Sequence, residues 1–372
     1  SICALATTAL LSACGGGGGG GGGGSSVSLD TPASITGANF SEIASLVVSS
    51  NLLVADSPNY NEGYPAAVIG GPQPTTVNVM NLSRMQLAEV KKVTPAEVTG
   101  PELPIGVRPV ADEVDTPCSG GGTKTKRYTN AAGGPDTDLD PVTGDKLVIT
   151  YNNCNLDLQQ EANNCLTVLE PNKVVTLNGT VTTDITAVTS VSVYSAKLTY
   201  SSLRVAATRN GGPVSSTVNG TITIALADSS PQITLTTPGS DTLNSVTDGV
   251  TDRLSEALIQ YDDNQQGCTA AAPNNNYTIL STTRGKVARS TIGYVRATVT
   301  SPLVGNSQTG DNGFPAAGGV QVNSDDATSM TINTLNPSGE VQVTINGRAL
   351  TCATQNPKWS DVFVGTLNQF CQ

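Results

Sequence analysis

Histidine is absent from all 372 residues. That removes the commonest general base, the commonest transition-metal ligand and any serine–histidine triad together. Basic residues are few, 19 Lys and Arg against 30 Asp and Glu, giving a net charge of −11. They are scattered along the chain, so no basic stripe exists to neutralise phosphates, and nucleic acid is excluded as a partner. No C-x-x-C pair occurs, which disfavours a zinc ribbon or a thioredoxin-like centre. G-x-S-x-G, S-x-x-K and P-loop patterns are missing too, which closes most hydrolase routes. Aromatics make up only 4% and charged residues only 13%. With Thr, Val, Ser, Asn and Gly abundant, this balance suits half-buried strands and turns better than helices.

The run Ile2 to Ala13, ICALATTALLSA, is apolar or small and carries no charge. It is too short for a membrane span of about 20 residues and reads instead as the end of a signal peptide, with a charged n-region expected ahead of Ser1. Leu11-Ser12-Ala13-Cys14 resembles the bacterial lipobox. That resemblance implies cleavage before Cys14 and a diacylglyceryl group on its thiol. Gly15 to Gly24 follows as an unbroken glycine run, a flexible tether and not a phosphate loop, since no strand precedes it and no helix opens after it. By analogy with lipoprotein sorting, Gly and not Asp after the cysteine favours the outer membrane.

Length allows one large all-β domain or two smaller ones, and one main body with an N-terminal appendage is expected. The expected division is a signal remnant (1–13), a lipidated cysteine and tether (14–30), an appendage with short helices (31–115) and an antiparallel β domain (116–372). In the appendage, Asn39-x-x-Glu42 has the form of a capping box, followed by Phe40, Ile43, Ala44 and Val47 at helical spacing. A second helix is expected from Asn81 to Val93, stopped by Pro95.

Beyond Cys118 the apolar period changes to two. Val175, Leu177, Val181 and Ile185 alternate with polar residues, as do Val218, Ile222, Ile224 and Leu226. Further strands are expected over Lys146–Asn152, Val191–Ala206, Gln232–Thr236, Leu254–Tyr261, Tyr277–Thr283, Val287–Thr300, Met330–Thr334 and Glu340–Leu350. The fold class is thus mainly β: a large, twisted antiparallel meander, open or partly closed like a barrel, with one or two short N-terminal helices. An aliphatic residue followed by Asn-Gly recurs in LNGTV at 177–181, VNGTI at 218–222 and INGRA at 345–349. Because the alternation stays in phase through each glycine, all three are expected inside long strands, at bends or bulges, in preference to tight hairpin turns.

Six exported cysteines, Cys118, Cys154, Cys165, Cys268, Cys352 and Cys371, are enough for three disulfides in an oxidising compartment. Cys118 and Cys154 flank one hairpin, Cys352 and Cys371 bracket the C-terminal segment around Trp359, and Cys165 with Cys268 is the remainder. Asp136, Asp138, Asp140 and Asp145 lie in one turn and resemble the start of an EF-hand-type calcium loop. Pro141 replaces that loop's glycine and Leu147 its bidentate Glu, so a solvated acidic loop is preferred to a weakly held structural calcium ion.

The order PCSGGGT, a D-x-D-rich turn, GDKLVITYNNC, VTLNGTVT and GVTDRLSEALIQYDD resembles a group of uncharacterised proteobacterial lipoproteins with a T-x-N-N-C…L-N-G pattern, across roughly residues 116 to 350. The resemblance implies export and β architecture and supplies no active residue. Tyr151, Tyr194, Tyr200, Tyr261, Tyr277 and Tyr294 fall on expected strands, where they either meet a sugar or a protein or, the preferred reading, seal core rims.

The expected role is that of a lipid-anchored outer-membrane protein, periplasmic or surface-exposed, with a structural, adhesive or ligand-binding function and no catalysis. Its partners would be the membrane, a protein or glycan ligand, or further copies joined through strand edges. One alternative is a carrier of a lipid or other hydrophobic ligand in a curved sheet. The other is a carboxylate glycoside hydrolase drawing on Asp262/Asp263, Asp325/Asp326 or Glu340.

Overall fold

The computed structural model describes residues 26–48, 114–134, 136, 142–157, 174–190, 193–209, 212–227, 233–264, 276–305, 315–352 and 355–371. The expected helix over 81–93 and the cysteines at 165 and 268 lie outside them.

Sixteen strands form one antiparallel sheet. They are β1 (Val114–Pro117), β2 (Thr123–Thr129), β3 (Lys146–Asp157), β4 (Val174–Ser190), β5 (Val193–Arg209), β6 (Gly212–Leu226), β7 (Ile233–Thr236) and β8 (Thr242–Thr247), then β9 (Val250–Asn264), β10 (Asn276–Ile279), β11 (Arg284–Arg289), β12 (Gly293–Gly305), β13 (Ala317–Asn323), β14 (Ser329–Thr334), β15 (Val341–Ile345) and β16 (Arg348–Ala349). Order in the sheet follows order in the chain. The short strands β7 and β8 share one lane between β6 and β9, and β10 and β11 share the next, between β9 and β12. Among the described residues the path runs from β1 to β16 with no pairing between its two ends.

Period-two patterning decides which face is buried. Along β5, Tyr194, Ala196, Leu198, Tyr200, Leu203 and Val205 all point inward, while their neighbours are half-buried or exposed. Laterally, Ile149, Val181 and Tyr200 stand in one cross-strand row of this apolar face. The other face carries threonine: the hydroxyls of Thr150 and Thr180 lie 3.4 Å apart, as do those of Thr199 and Thr221. β-Branched side chains of this kind pack well on a pleated surface.

Long strands cross the sheet only by bending. In β3, β5 and β9 an extra residue with positive φ interrupts the register: Asn153 (φ 45°), Ser202 (φ 49°) and Glu256 (φ 49°). These bulges explain two of the three Asn-Gly steps within the described residues. Asn178 Oδ1 accepts the Asn153 N–H at 2.8 Å, and Asn219 Oδ1 accepts the Ser202 N–H at 2.7 Å, so each Asn satisfies a bulge donor on the preceding strand. Each following glycine admits the next strand: a Cβ on Gly179 (φ 115°) would stand 2.8 Å from Leu203 Cα, and one on Gly220 (φ 125°) 3.0 Å from Leu243 Cα. The third step departs from expectation. Asn346 (φ 49°) and Gly347 (φ 77°) form a two-residue turn between β15 and β16, with Ile345 opposite Arg348. Two consecutive positive φ angles are the signature of a type I′ hairpin, so the expected Glu340–Leu350 strand is broken there.

Two other expected strands are interrupted. Val287–Thr300 turns at Ser290–Ile292, making β11 and β12 a hairpin, and β10 ends at Ile279 where the chain turns through Leu280–Thr283.

Helix α1 (Phe40–Val47) forms where helical spacing placed it, and every residue but Glu42 is buried. The capping box does not form. Asn39 Oδ1 accepts instead from the Thr36 N–H and hydroxyl at 2.9 and 3.0 Å, and Glu42 accepts the Thr291 hydroxyl at 2.9 Å. Short helices α2 (Trp359–Val364) and α3 (Leu367–Phe370) pack against α1, and all three helices join one core with the inner face of the sheet. Ser45 donates to the Phe363 carbonyl at 2.6 Å within this core. Trp359 is fully buried and donates its Nε1–H to Thr334 Oγ1 at 2.9 Å, anchoring the C-terminal segment. Disulfides join Cys118 to Cys154 and Cys352 to Cys371.

The edges of the sheet are short. β1 has four residues and β16 two, and β15 is further covered where Val341 N–H donates to Pro357 and Leu350 N–H to Val343. Among the described residues, short edge strands, one of them covered, limit pairing with another chain.

Candidate functional site

In the acidic turn, Asp145 is buried and its Oδ2 accepts the Val142 N–H at 2.6 Å, closing the loop onto β3. Asp136 donates its N–H to the Tyr128 carbonyl at 3.3 Å. Asp138 and Asp140 lie outside the described residues. Among the described residues no three metal-ligating side chains gather.

Tyr151, Tyr194, Tyr200 and Tyr261 are buried on the inner face, each 4% exposed or less. They fill the core and form no stacking platform, and burial pushes the Tyr194 phenol above its usual value of 10.0. The side chain of Tyr277 lies outside the described residues.

Tyr294 is buried too, at 6% exposed, but on the opposite face of the sheet and outside the inner core, at the centre of a charged network on β9, β11 and β12. Lys286 stands directly across from Arg296 in the register, with its Nζ 3.8 Å from the Tyr294 ring centroid. Arg296 pairs with Glu256 and, at 3.4 Å, with Asp325, while Tyr294 donates its hydroxyl to Asp325. That hydrogen bond, followed by burial, raises the Tyr294 phenol and, with the Arg296 charge, lowers Asp325 from 3.8. Glu256 in turn raises Arg296. Each ionic group here answers another, so the network pins the Glu256 bulge to the β13–β14 turn. Sequence spacing did not reveal it, because 253–256, 284–286, 294–296 and 325 converge only through the hairpin at Ser290–Ile292. The one local signal was the polar Ser290-Thr291 pair ahead of Gly293 within an otherwise strand-like run.

The remaining nominated carboxylates have separate structural partners. Asp326 accepts from Ser34 and from the Thr328 hydroxyl and N–H. Glu340 accepts from Asn336 and Asn356 at 3.0 and 3.2 Å. Asp262 is half-buried on β9, and the side chain of Asp263 lies outside the described residues.

Residues 27–35 lie along the same outer network. Val27 N–H donates to the Ser290 carbonyl, Thr31 and Ala33 pair with Tyr294, and Asp30 pairs with Arg253. Ile35 N–H donates to Thr328 Oγ1 at 2.8 Å. The Ser34 and Thr328 hydrogen bonds hold the Asp326 carboxyl well below its usual 3.8. A depressed folded-state value means that the contact stabilises above that pH and is lost only as pH falls through the lower, folded-state value. Asp326→Asn is therefore expected to be less stable than the parent at neutral pH by a constant margin, which shrinks below pH 3.8. Urea titrations at several pH values measure this; a margin independent of pH in acid would show that the carboxylate charge is not what Ser34 recognises.

The deepest ion pair lies on the inner face. Arg289, with its side chain 2% exposed, donates from Nε and Nη2 to the two oxygens of Asp252 at 2.7 and 2.9 Å, and its Nη1 has no partner.

No known protein family, curated protein or solved structure matches this chain.

Proposed function

We propose that the chain is a lipid-anchored β scaffold of the outer membrane or cell surface, held through Cys14, with a structural, adhesive or ligand-binding role and no catalysis. The observation that carries this reading is the filled interior. Inner-face side chains such as Val181, Leu198, Ile222, Val287 and Ile332 are 0% exposed, whereas a lumen able to hold a lipid would leave its lining open to a water-sized sphere. The packed core weighs against the carrier reading, and the separate structural partners of Asp325, Asp326 and Glu340 weigh against a pair of hydrolytic carboxylates. Short edge strands, with the β15 edge covered, favour recognition through the polar outer face over polymerisation through strand edges.

Attachment of residues 27–35 to β12 and the β13–β14 turn gives a tether from Cys14 a firm mooring. A structural calcium ion in the 136–145 turn would require the Asp145 carboxylate to release Val142 or to share it.

Mass spectrometry of the protein taken from its own membranes, without reduction, tests the proposal. Expected is a diacylglyceryl group on Cys14, intact disulfides and no co-purifying lipid in the body. An unmodified soluble chain would overturn the anchored reading, and a stoichiometric lipid bound after delipidation of the anchor would restore the carrier.

A further inference from the structure

We infer that Asn346 is a site of spontaneous deamidation, and that the fold protects the chemically identical steps at Asn178 and Asn219. In this reaction the Gly347 backbone nitrogen gives up its proton to water and attacks Cγ of Asn346. The new C–N bond closes a succinimide as the side-chain amide leaves as ammonia. Water then opens the ring at either carbonyl, leaving aspartate or isoaspartate, with no oxidant or reductant involved.

All three asparagines share one activating contact. A backbone N–H donates to each Oδ1, from Asn153 to Asn178, from Ser202 to Asn219 and from Ser329 to Asn346, at 2.7–2.8 Å. Donation to the amide oxygen draws electrons from Cγ and favours attack there. What differs is whether the following nitrogen can reach it. At Gly179 and Gly220 the backbone of the adjacent strand crowds the glycine, with Leu203 Cα and Leu243 Cα 2.8 and 3.0 Å from where a Cβ would sit. Both lie within strands of 17 and 15 residues that are paired on both sides. At Gly347 nothing stands within 4 Å of that position, and Asn346 and Gly347 are both exposed. Their turn is secured on one side by a strand of only two residues, so local opening there needs far less than opening the centre of the sheet. Asn-Gly steps at 210–211 and 312–313 lie outside the described residues.

Isoaspartate would add a methylene to the main chain inside a two-residue turn. The Ile345–Arg348 register would be lost, and β15 would gain an uncovered edge.

The test is peptide mapping of the full-length protein aged in mildly alkaline buffer, with isoaspartyl methyltransferase labelling to identify the linkage, run folded and in denaturant. In the folded protein Asn346 is expected to lose its amide more than about tenfold faster than Asn178 or Asn219, and in denaturant the three rates should converge. Equal rates in the folded protein, or loss at Asn178 or Asn219 ahead of Asn346, would overturn the inference. So would a difference that persists unchanged in denaturant, since it would then belong to local sequence and not to the fold.

Discussion

Gly220→Ala is expected to lose at least about 4 kcal/mol of folding stability, a large share of the roughly 5–15 kcal/mol that holds a domain together. Two costs add. A φ of 125° is a conformation that an L-residue adopts only under strain of about 1–3 kcal/mol. The added methyl would also overlap the Thr242 carbonyl oxygen, so β6 and β8 would have to part where Gly220 faces Leu243. Parting them disturbs the Asn219–Ser202 contact as well, one residue away. Gly249→Ala is the control: its φ of 80° is unfavourable too, but nothing stands within 4 Å, so a loss of only about 1–2 kcal/mol is expected. Urea unfolding of both purified variants gives the comparison. If Gly220→Ala costs no more than Gly249→Ala, close approach of the strands is not what requires the glycine. If it yields no soluble protein, recovery on refolding beside Gly249→Ala gives the same ranking.

Asp252→Ala is expected to cost about 3–5 kcal/mol, because it leaves the Arg289 guanidinium charged, buried and without a counter-ion. The pair itself contributes little, since two charges have been taken out of water to form it and Arg289 Nη1 is still unsatisfied. Replacing both residues together, Asp252→Leu with Arg289→Met, should therefore recover most of the loss and come out near the parent or above it. Glu256→Ala removes a partner from Arg296 at the surface, where both side chains are more than 40% exposed, and should change stability by less than about 1 kcal/mol. Thermal melts of the four proteins decide the matter. A double variant as unstable as Asp252→Ala alone would mean that the ion pair is needed for packing that hydrophobic residues cannot supply.

Strand content, fold class and the partners in two disulfides were legible because they rest on local signals: period-two alternation, turn residues and cysteines flanking a hairpin. The Asn-Gly steps mark where such signals run out. Residues 177–181, 218–222 and 345–349 share one pattern, yet the first two sit at bulges and the third makes a turn. The deciding factor is what lies alongside. Gly179 and Gly220 face strands that approach from the far side, whereas Gly347 has no strand there and β16 can fold back. Similarly, Val287–Thr300 read as one strand because its apolar residues stay in register across Ser290–Ile292, and a turn whose flanking strands both face the core leaves little trace in periodicity. Asn39 and Glu42 had the spacing of a capping box, but a local partner, Thr36, took the Asn39 side-chain oxygen and a tertiary one, Thr291, the Glu42 carboxylate. The charged network around Tyr294 was hidden for a different reason. Its members are 31 and 40 residues apart in the contacts that define it, beyond the reach of any short pattern.

Helix α1 also sets an order of events. Ser45 bonds to Phe363 across 318 residues, and Ser34 to Asp326 across 292. During synthesis the apolar helix emerges long before the segment that will cover it, and contacts so far apart in sequence form slowly because the intervening chain must first be brought together. The sheet can zip from neighbour to neighbour while α1 waits. Docking of the early helix against α2 and α3 is then a late event in folding, and until it happens Phe40, Ile43, Leu46 and Val47 are open to a chaperone.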